Sequence, residues 1–178
     1  MKNLSKNTPP LEITRVVQLA DLQIIRDLAA EIWPKTFQKI LSPEQIKYMM
    51  QMMYSPEIME QEFEAGYIFE IYRINHQPAG YTVCAKYELP GVMKLHKIYL
   101  KSQFQGCGIG SKMLQHVIEN ARNAGFGELR LNVNKHNTKA MNAYLRNGFR
   151  EIAAVKIDIG DNFYMDDFVM SKDLNQYL

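Results

Sequence analysis

A glycine-rich segment at residues 105–111, with the sequence QGCGIGS, has the composition and the position of a phosphate-binding turn. It lies between a strand-like run that ends near Leu100 and a helical pattern that begins near Gly108. Glycines let successive backbone N–H groups converge without Cβ atoms in the way, and the following helix adds its positive dipole end. The segment therefore predicts a pyrophosphate site, with a tight strand-to-helix connection that binds nothing as the alternative.

Two other phosphate motifs do not fit this segment. A P-loop requires Gly-Lys followed by Ser or Thr, whereas the chain has the order Gly110, Ser111, Lys112. The dinucleotide fingerprint G-x-G-x-x-G requires a third glycine at position 111 and an acidic residue about twenty positions later, at the end of the next strand. That strand end carries Asn132 and Asn134 instead. Neither motif explains the turn.

The pattern that does fit is Q/R-x-x-G-x-G/A, with Gln105, Gly108 and Gly110 in its three fixed places. It is the signature of the GNAT superfamily of N-acetyltransferases, which this chain resembles. Residues 94–100 (KLHKIYL) resemble the fourth strand of that superfamily, and residues 137–149 (NTKAMNAYLRNGF) are similar to its other hallmark segment. The central part of the chain looks closest to bacterial polyamine acetyltransferases of the PaiA type.

The resemblance implies acetyl-CoA as the co-substrate and no metal. The residues that it assigns to the cofactor are Ile98, Leu100, Gln105, Gly106, Cys107, Gly108, Ile109, Gly110, Ser111, Asn137 and Tyr144. Helix capping alone would explain Asn137. Cys107 has no base beside it in sequence, so it is interpreted as a bystander and not as a nucleophile.

Acetyl transfer requires a neutral amine, and His96 is the candidate general base. An amine with a pKa of about 10.4 is neutral in about one molecule in 10³ at pH 7, so its deprotonation costs about 4 to 5 kcal/mol. An unperturbed imidazole titrates at about 6.5, and His96 lies two residues before Ile98, where strand alternation predicts a shared face. Arylalkylamine acetyltransferases of the superfamily are similar in having histidine here, while many relatives have glutamate. A partly exposed edge histidine without a role is the alternative.

The resemblance also implies roles for Ile98 and Tyr144 in direct transfer within a ternary complex. The backbone N–H of Ile98 is expected to face the thioester carbonyl, where negative charge develops. Phenols have a pKa of about 10 and thiols of about 8.5, so Tyr144 is expected to stay protonated and to donate to the departing thiolate. An ordinary core tyrosine with its hydroxyl at the surface is the alternative.

The acceptor is expected to bind between the first helices and the last hairpin, as the resemblance implies. The candidate residues there are Trp33, Phe37 and Asp166. Residues 158–167 carry four carboxylates, which would attract a cationic acceptor such as a polyamine or a peptide amine, but a solvated turn has the same composition. A small-molecule amine or a peptide amine fits equally well. A catalytically silent acyl-CoA-binding or interaction domain of the same fold is the alternative function.

The elements that must position these residues can be read from hydrophobic periodicity. Strand patterns occupy residues 11–17, 67–74, 79–87, 92–100, 128–134, 149–159 and 163–170. Helical patterns occupy residues 20–33, 43–53, 56–64, 111–124 and 137–146, and Pro34 is expected to end the first helix. The expected fold class is α/β of the α+β type: a GNAT fold with a mixed, mostly antiparallel sheet of about seven strands flanked by about four or five helices. Residues 1–10 are interpreted as a polar tail and residues 11–178 as one domain.

Composition excludes several other classes. Lys and Arg number 21 against 19 for Asp and Glu, without a basic block, so nucleic acid is not an expected partner. No run of about eighteen apolar residues and no signal-peptide core occur, so neither a membrane span nor export is expected. Two cysteines without metal-ligand spacing favour a reducing cytoplasm. A monomer and a homodimer are both compatible with the sequence.

Overall fold

The computed structural model describes residues 10–175, so the predicted N-terminal tail lies outside the described residues except for Pro10. The described chain forms seven strands and five α-helices. In chain order these are β1 (Leu11–Arg15), α1 (Leu22–Phe37), α2 (Pro43–Tyr54), α3 (Pro56–Glu64), β2 (Ile68–Ile74), β3 (Gln77–Lys86), β4 (Val92–Leu100), α4 (Ile109–Asn123), β5 (Glu128–Asn134), α5 (Thr138–Arg146), β6 (Arg150–Gly160) and β7 (Phe163–Asp173).

The strands form one sheet in the order β1-β2-β3-β4-β5-β7-β6. Only the β4–β5 pair is parallel, and the other five pairs are antiparallel. The predicted fold class, a mixed and mostly antiparallel sheet of seven strands with flanking helices, is therefore confirmed. Most predicted bounds agree with the structure within about three residues.

Local sequence signals explain where α2 and α3 begin. The Ser42 hydroxyl accepts a hydrogen bond from the Gln45 backbone N–H at 3.1 Å, and the Ser55 hydroxyl accepts one from the Ile58 N–H at 3.4 Å. In both cases proline takes the first helical position, where its missing N–H costs nothing. The predicted caps of α2 and α3 are confirmed.

The prediction that Pro34 ends the first helix is wrong, because α1 continues to Phe37. The ring removes one helical hydrogen bond, but the helix closes again with the Gln38 N–H donating to the Pro34 carbonyl at 3.0 Å. Trp33 and Phe37 are 2 % and 7 % exposed in the core beneath this turn. Their burial outweighs the local preference of proline to interrupt a helix.

The helices cover the two faces of the sheet. Helices α1, α2 and α3 pack on one face against Phe69, Tyr81 and Val83. Helix α4 packs on the other face against Leu129 and Leu131, and α5 lies beside it. Within residues 10–175 no helix is both long and apolar enough to cross a bilayer.

The sheet splits in its middle. Strands β4 and β5 pair only from Val92↔Glu128 to Leu95↔Leu131. Beyond that point β4 continues to Leu100 and β5 to Asn134 without pairing to each other. The unpaired ends leave backbone N–H and C=O groups free along both sides of the gap.

A β-bulge in β4 lies at the start of this gap. The register with β3 passes from Val83↔Lys97 to Cys84↔Leu95, so His96 is the extra residue without a partner. The prediction that His96 and Ile98 share a face by simple alternation is therefore wrong. Leu95 and Ile98 both pack towards α4, on the face opposite Tyr99, because the inserted residue shifts the alternation by one.

Candidate active site

The split between β4 and β5 opens into a cleft of about 1490 Å³. Pockets for drug-sized ligands measure about 300–1,000 Å³, so this cleft has room for a long ligand and a second molecule. It is walled by parts of α1, α2, β4, β5, α5 and the β6–β7 hairpin. The predicted site residues that it brings together are Trp33, Phe37, His96, Ile98, Leu100, Gln105, Gly106, Gly108, Gly110, Ser111, Asn137 and Tyr144.

The glycine-rich turn faces open space at one end of the cleft. Gly106 and Gly108 have φ angles of +83° and +84°, in the left-handed region that favours glycine. A Cβ atom added at Gly106, Gly108 or Gly110 would meet no other atom within 4 Å. The first N–H groups of α4 have no partner within their own helix, and Gly108, Gly110 and Ser111 at this end of α4 line the cleft. The turn thus offers both donors and room for a diphosphate.

Gln105 fixes the turn to two neighbouring elements. Its side-chain Nε2 donates to the Leu100 carbonyl at 2.8 Å, and its Oε1 accepts from Lys139 Nζ at 2.5 Å. Lys139 lines the cleft from the first turn of α5. Sequence reasoning did not identify Lys139 as a site residue. A cation in the first turn of a helix interacts unfavourably with the helix dipole, and this unusual position could have indicated a binding role. The ammonium group adds positive charge beside the turn.

The main chain of Ile98 faces the gap in the sheet. The Lys101 N–H donates to the Ala79 carbonyl on β3 at 2.8 Å, and hydrogen-bonded pairs alternate along an antiparallel ladder. In this alternation, which starts from the hydrogen-bonded pair Ala79–Lys101, the pair Tyr81–Tyr99 is also hydrogen-bonded. The pair Thr82–Ile98 is not. The N–H of Ile98 therefore points away from β3 towards the unpaired side of β4.

His96 lines the cleft with its ring against that of Tyr67, at a centroid distance of 5.0 Å and an interplanar angle of 33°. The residue is exposed to water, but it lies in a cleft with protein atoms around the ring. This partial desolvation, followed by the ammonium groups of Lys97 and Lys94, lowers the pKa of His96 to about 4. The imidazole is therefore neutral at physiological pH and a weaker base than its free-solution value suggests.

Tyr144 lies half-buried against Phe149, with ring centroids 5.9 Å apart. Burial raises the pKa of its hydroxyl, so the phenol is protonated at neutral pH and can donate a hydrogen. Its helix begins at Asn137, whose Oδ1 accepts from the Ala140 N–H at 3.2 Å. The interpretation of Asn137 as a helix cap is confirmed.

Three predicted site residues do not line the cleft. Cys107 is exposed and donates from its thiol to the Phe104 carbonyl at 3.0 Å. The Ile109 side chain is 1 % exposed in the core beneath α4. Asp166 forms an ion pair with Lys135. On the same strand, Asp167 does line the cleft, and no sequence pattern distinguished it from its neighbour.

Helix α2 is hydrogen-bonded to the β6–β7 hairpin, and both elements contribute side chains to the cleft wall. The Tyr48 hydroxyl donates to the Ile159 carbonyl at 2.5 Å, and Gln45 Nε2 donates to the Tyr164 carbonyl at 2.8 Å. The rings of Tyr48 and Phe163 lie 5.4 Å apart. Sequence reasoning missed these contacts because they join positions more than one hundred residues apart.

The residues present fit acetyl-CoA. The open space at Gly110 and the left-handed Gly106 and Gly108 leave room for a diphosphate, and the free main chain of β4 can pair with an amide-containing arm. Among residues 10–175 there is no group of three His, Cys, Asp or Glu side chains that could hold a metal ion.

Comparisons with known proteins agree with this geometry. An N-acetyltransferase from Lactobacillus delbrueckii subsp. lactis, encoded in the pepI 3′ region, is 26 % identical over 169 residues, covering 90 % of this chain and 97 % of its own length. The spermidine N(1)-acetyltransferase of Thermoplasma acidophilum is 26 % identical over 161 residues, covering 89 % of this chain and 94 % of its own.

Among solved structures, the PaiA N-acetyltransferase of Thermoplasma acidophilum in complex with coenzyme A has the same fold. Its TM-score is 0.76 at 24 % identity, and the match covers 92 % of this chain and 99 % of that one. The family description "Acetyltransferase (GNAT) family" matches residues 22–149. The chain therefore belongs to the GNAT family of acetyltransferases, with acetyl-CoA as its acetyl donor.

Proposed function

We propose that this enzyme transfers the acetyl group of acetyl-CoA to a primary amine by direct attack in a ternary complex. The observation that carries the proposal is the juxtaposition in one cleft of the glycine-rich turn, the free main chain of Ile98, the neutral imidazole of His96 and the protonated phenol of Tyr144. A silent acyl-CoA-binding domain would not need the last two groups.

Each of these groups serves one requirement of the reaction. Acetyl-CoA supplies the activated acetyl thioester, and the backbone N–H groups of the turn and of α4 hold its diphosphate. The Ile98 N–H donates to the thioester carbonyl oxygen as negative charge develops there. Tyr144 gives its proton to the departing thiolate and regains one from solvent.

His96 assists removal of the proton from the acceptor amine by positioning a water molecule. With its pKa lowered to about 4, the imidazole cannot retain that proton against bulk solvent. Because the imidazole is neutral, one ring nitrogen can accept a hydrogen bond from a water molecule. That water takes up the proton of the amine and passes it to solvent. This role replaces direct abstraction by a base that titrates near neutral pH.

The acceptor is a small-molecule amine, a polyamine or a peptide amine. The likeness to a spermidine N(1)-acetyltransferase over most of both chains supports a polyamine. Both cysteines are free thiols, which supports a cytoplasmic location. The enzyme acts as a monomer or a homodimer, and sedimentation of the purified chain distinguishes these states.

Turnover with a panel of amines tests the proposal. Purified enzyme is mixed with acetyl-CoA and, in turn, a polyamine, an alkylamine, an aminoglycoside and a peptide with a free N-terminus, while released thiol is recorded. Thiol release that depends on one class of amine is the expected result. Folded enzyme that binds acetyl-CoA but acetylates none of the panel would favour the silent domain. Labelled acetyl bound covalently to the enzyme in the absence of amine would contradict direct transfer.

A further inference from the structure

The carboxylates of the acidic hairpin differ in what they face. Asp158 is exposed and accepts from the Gly160 N–H at 2.9 Å. Asp161 is exposed at the tip of the turn, where φ is +51°. Asp166 pairs with Lys135. Only Asp167, of these four, lines the cleft.

Asp167 differs from the other acidic residue in the cleft wall. Glu31 is held by Lys101 at 2.7 Å and by Lys35 at 3.3 Å. Among residues 10–175, no lysine, arginine or histidine nitrogen lies within 4.0 Å of the Asp167 carboxylate. Asp167 is nevertheless 8 % exposed, so it is a buried carboxylate without a cation in contact.

Groups around Asp167 partly offset the cost of burying its negative charge. The residue lies opposite Asn134 in the β5–β7 register, at the open end of the split. The side chain of Asn132, two residues before Asn134 on the same strand, lowers the pKa of the carboxyl group, and its Oδ1 accepts a hydrogen bond from Lys94 Nζ. The Lys94 ammonium also lies 5.2 Å from the centre of the Tyr87 ring. Lys94 therefore contacts Asn132 and acts on the Asp167 carboxylate from more than 4.0 Å away.

This arrangement has an electrostatic consequence. Desolvation raises the pKa of Asp167, and the charge of Asp166 adds to the effect, while the Asn132 hydrogen bond and Lys94 and Lys135 oppose it. A buried carboxylate without a direct ion pair is costly, and a cation that enters the cleft would relieve that cost. His96, which is neutral and flanked by Lys94 and Lys97, offers no such attraction for a cation.

We propose that Asp167 binds the acceptor as its ammonium ion, which then loses one proton to solvent through the water positioned by His96 before it attacks, and that the enzyme therefore selects aliphatic amines, which enter as cations, over uncharged arylamines of similar size. The inference rests on the proposed function, since it concerns the acceptor of that reaction. The same cleft is lined by the apolar side chains of Met49, Met53, Ile157 and Met165, and Met165 lies two residues before Asp167 on β7, opposite Ile157. Apolar side chains in this wall fit the alkyl part of such an acceptor.

The matched pair Asp167→Asn and Asp166→Asn tests this inference. Both changes remove one negative charge from the same strand, but only the first alters the cleft. Asp167→Asn is expected to lower kcat/KM for alkylamines about 10- to 100-fold, the usual effect of losing one hydrogen bond to a charged group, and to leave arylamine turnover nearly unchanged. Asp166→Asn is expected to leave both values near those of the wild type.

Calorimetric affinity for acetyl-CoA and thermal melting serve as controls for folding. If Asp167→Asn binds acetyl-CoA normally and loses no activity towards alkylamines, the inference is wrong. An equal loss for alkylamines and arylamines also contradicts it, because arylamines carry no positive charge. Activity of the wild type with the panel reports on the proposed function separately, so the two failures are distinguishable.

A second measurement needs no variant, in case Asp167→Asn does not fold. An alkyltrimethylammonium ion cannot be acetylated, and it is expected to compete with the acceptor of the wild-type enzyme. The uncharged isostere, in which carbon replaces the quaternary nitrogen, is expected to compete at least tenfold more weakly, the effect of about 1.4 kcal/mol in binding. Equal inhibition by the two compounds would overturn the inference.

Discussion

The ammonium group of Lys97 lies 2.6 Å from Glu62 Oε2 and 5.3 Å from the centre of the Tyr54 ring. Lys97 directly follows the bulged residue His96 on β4, and Glu62 belongs to α3. The Lys97 side chain is only 5 % exposed, whereas that of Glu62 is 21 % exposed. The ion pair therefore attaches α3 to β4 next to the bulge. The buried ammonium group of Lys97 depends on Glu62 for its counter-charge.

Replacing Glu62 with glutamine is expected to destabilise the enzyme by about 3 kcal/mol, because it leaves a buried ammonium without its counter-charge. Desolvation already lowers the pKa of Lys97, and Glu62 opposes that shift. Denaturant unfolding measures the loss. The double variant Glu62→Gln with Lys97→Met is the control and is expected to recover most of it, since no buried charge remains. A cost below about 1 kcal/mol, typical of a surface pair, would show that the pair is unimportant.

We propose that the acceptor binds between α2 and the β6–β7 hairpin, so the hydrogen bond from Tyr48 to Ile159 is expected to affect acceptor binding and not cofactor binding. Tyr48→Phe removes the hydroxyl that donates to Ile159 but keeps the ring against Phe163. The loss of one hydrogen bond, worth about 1 kcal/mol, is expected to raise KM for the acceptor severalfold and to leave the Kd of acetyl-CoA unchanged. Steady-state kinetics and calorimetry measure the two quantities. Equal weakening of acceptor binding and acetyl-CoA binding would mean that this hydrogen bond stabilises the whole fold and not the acceptor site alone.

Tyr144→Phe tests the proton donor. Positioned acid catalysis contributes about 10²- to 10⁴-fold, so kcat is expected to fall at least about 100-fold while acetyl-CoA affinity stays the same. Tyr164→Phe is the matched control, since Tyr164 also lines the cleft but is 42 % exposed on the hairpin. A parallel loss of turnover and acetyl-CoA affinity in Tyr144→Phe would contradict the acid role.

The lowered pKa of His96 makes a prediction about pH. Because the folded-state value of about 4 lies below the free-imidazole value, His96 stays neutral as the pH falls through 6.5 and becomes protonated only in more acid solution. An NMR titration, assigned with His96→Gln, is expected to place its midpoint well below 6.5. Lys94→Met is expected to raise the midpoint, since it removes a positive charge. A midpoint at or above 6.5 would contradict the lowered pKa of His96 and the proposed transfer of the amine proton through water that depends on it.

Much of the fold follows from local patterns in the sequence. Alternation predicts strands such as β4 and β5, and the Ser-Pro caps at Ser42 and Ser55 predict where α2 and α3 begin, because these signals involve neighbouring residues only. The glycines of the turn likewise predict where in the cleft a diphosphate would bind.

The parts that could not be predicted depend on contacts between distant positions. The bulge at His96 is set by how β4 pairs with β3, so its side chain could not be placed by alternation. The helix continues past Pro34 because Trp33 and Phe37 are buried by the rest of the fold. Asp166 and Asp167 are adjacent and chemically identical, and only the sheet register decides which one faces the cleft.

Calorimetry with acetyl-CoA on the wild type and on Gly110→Glu tests the diphosphate site most directly. A Cβ atom at this position meets no protein atom within 4 Å, and a carboxylate in the first turn of α4 interacts favourably with the helix dipole, so the variant is expected to fold. Its negative charge lies next to the open space in front of the turn and repels a diphosphate. Gly110→Ala is the matched control, because the Q/R-x-x-G-x-G/A pattern accepts alanine at this place.

Saturable binding by the wild type and by Gly110→Ala, with at least about tenfold weaker binding by a folded Gly110→Glu, is the predicted result. Absence of binding heat in the folded wild type with both coenzyme A and acetyl-CoA, or undiminished affinity in Gly110→Glu, would contradict the proposal that the main chain of this turn holds the diphosphate.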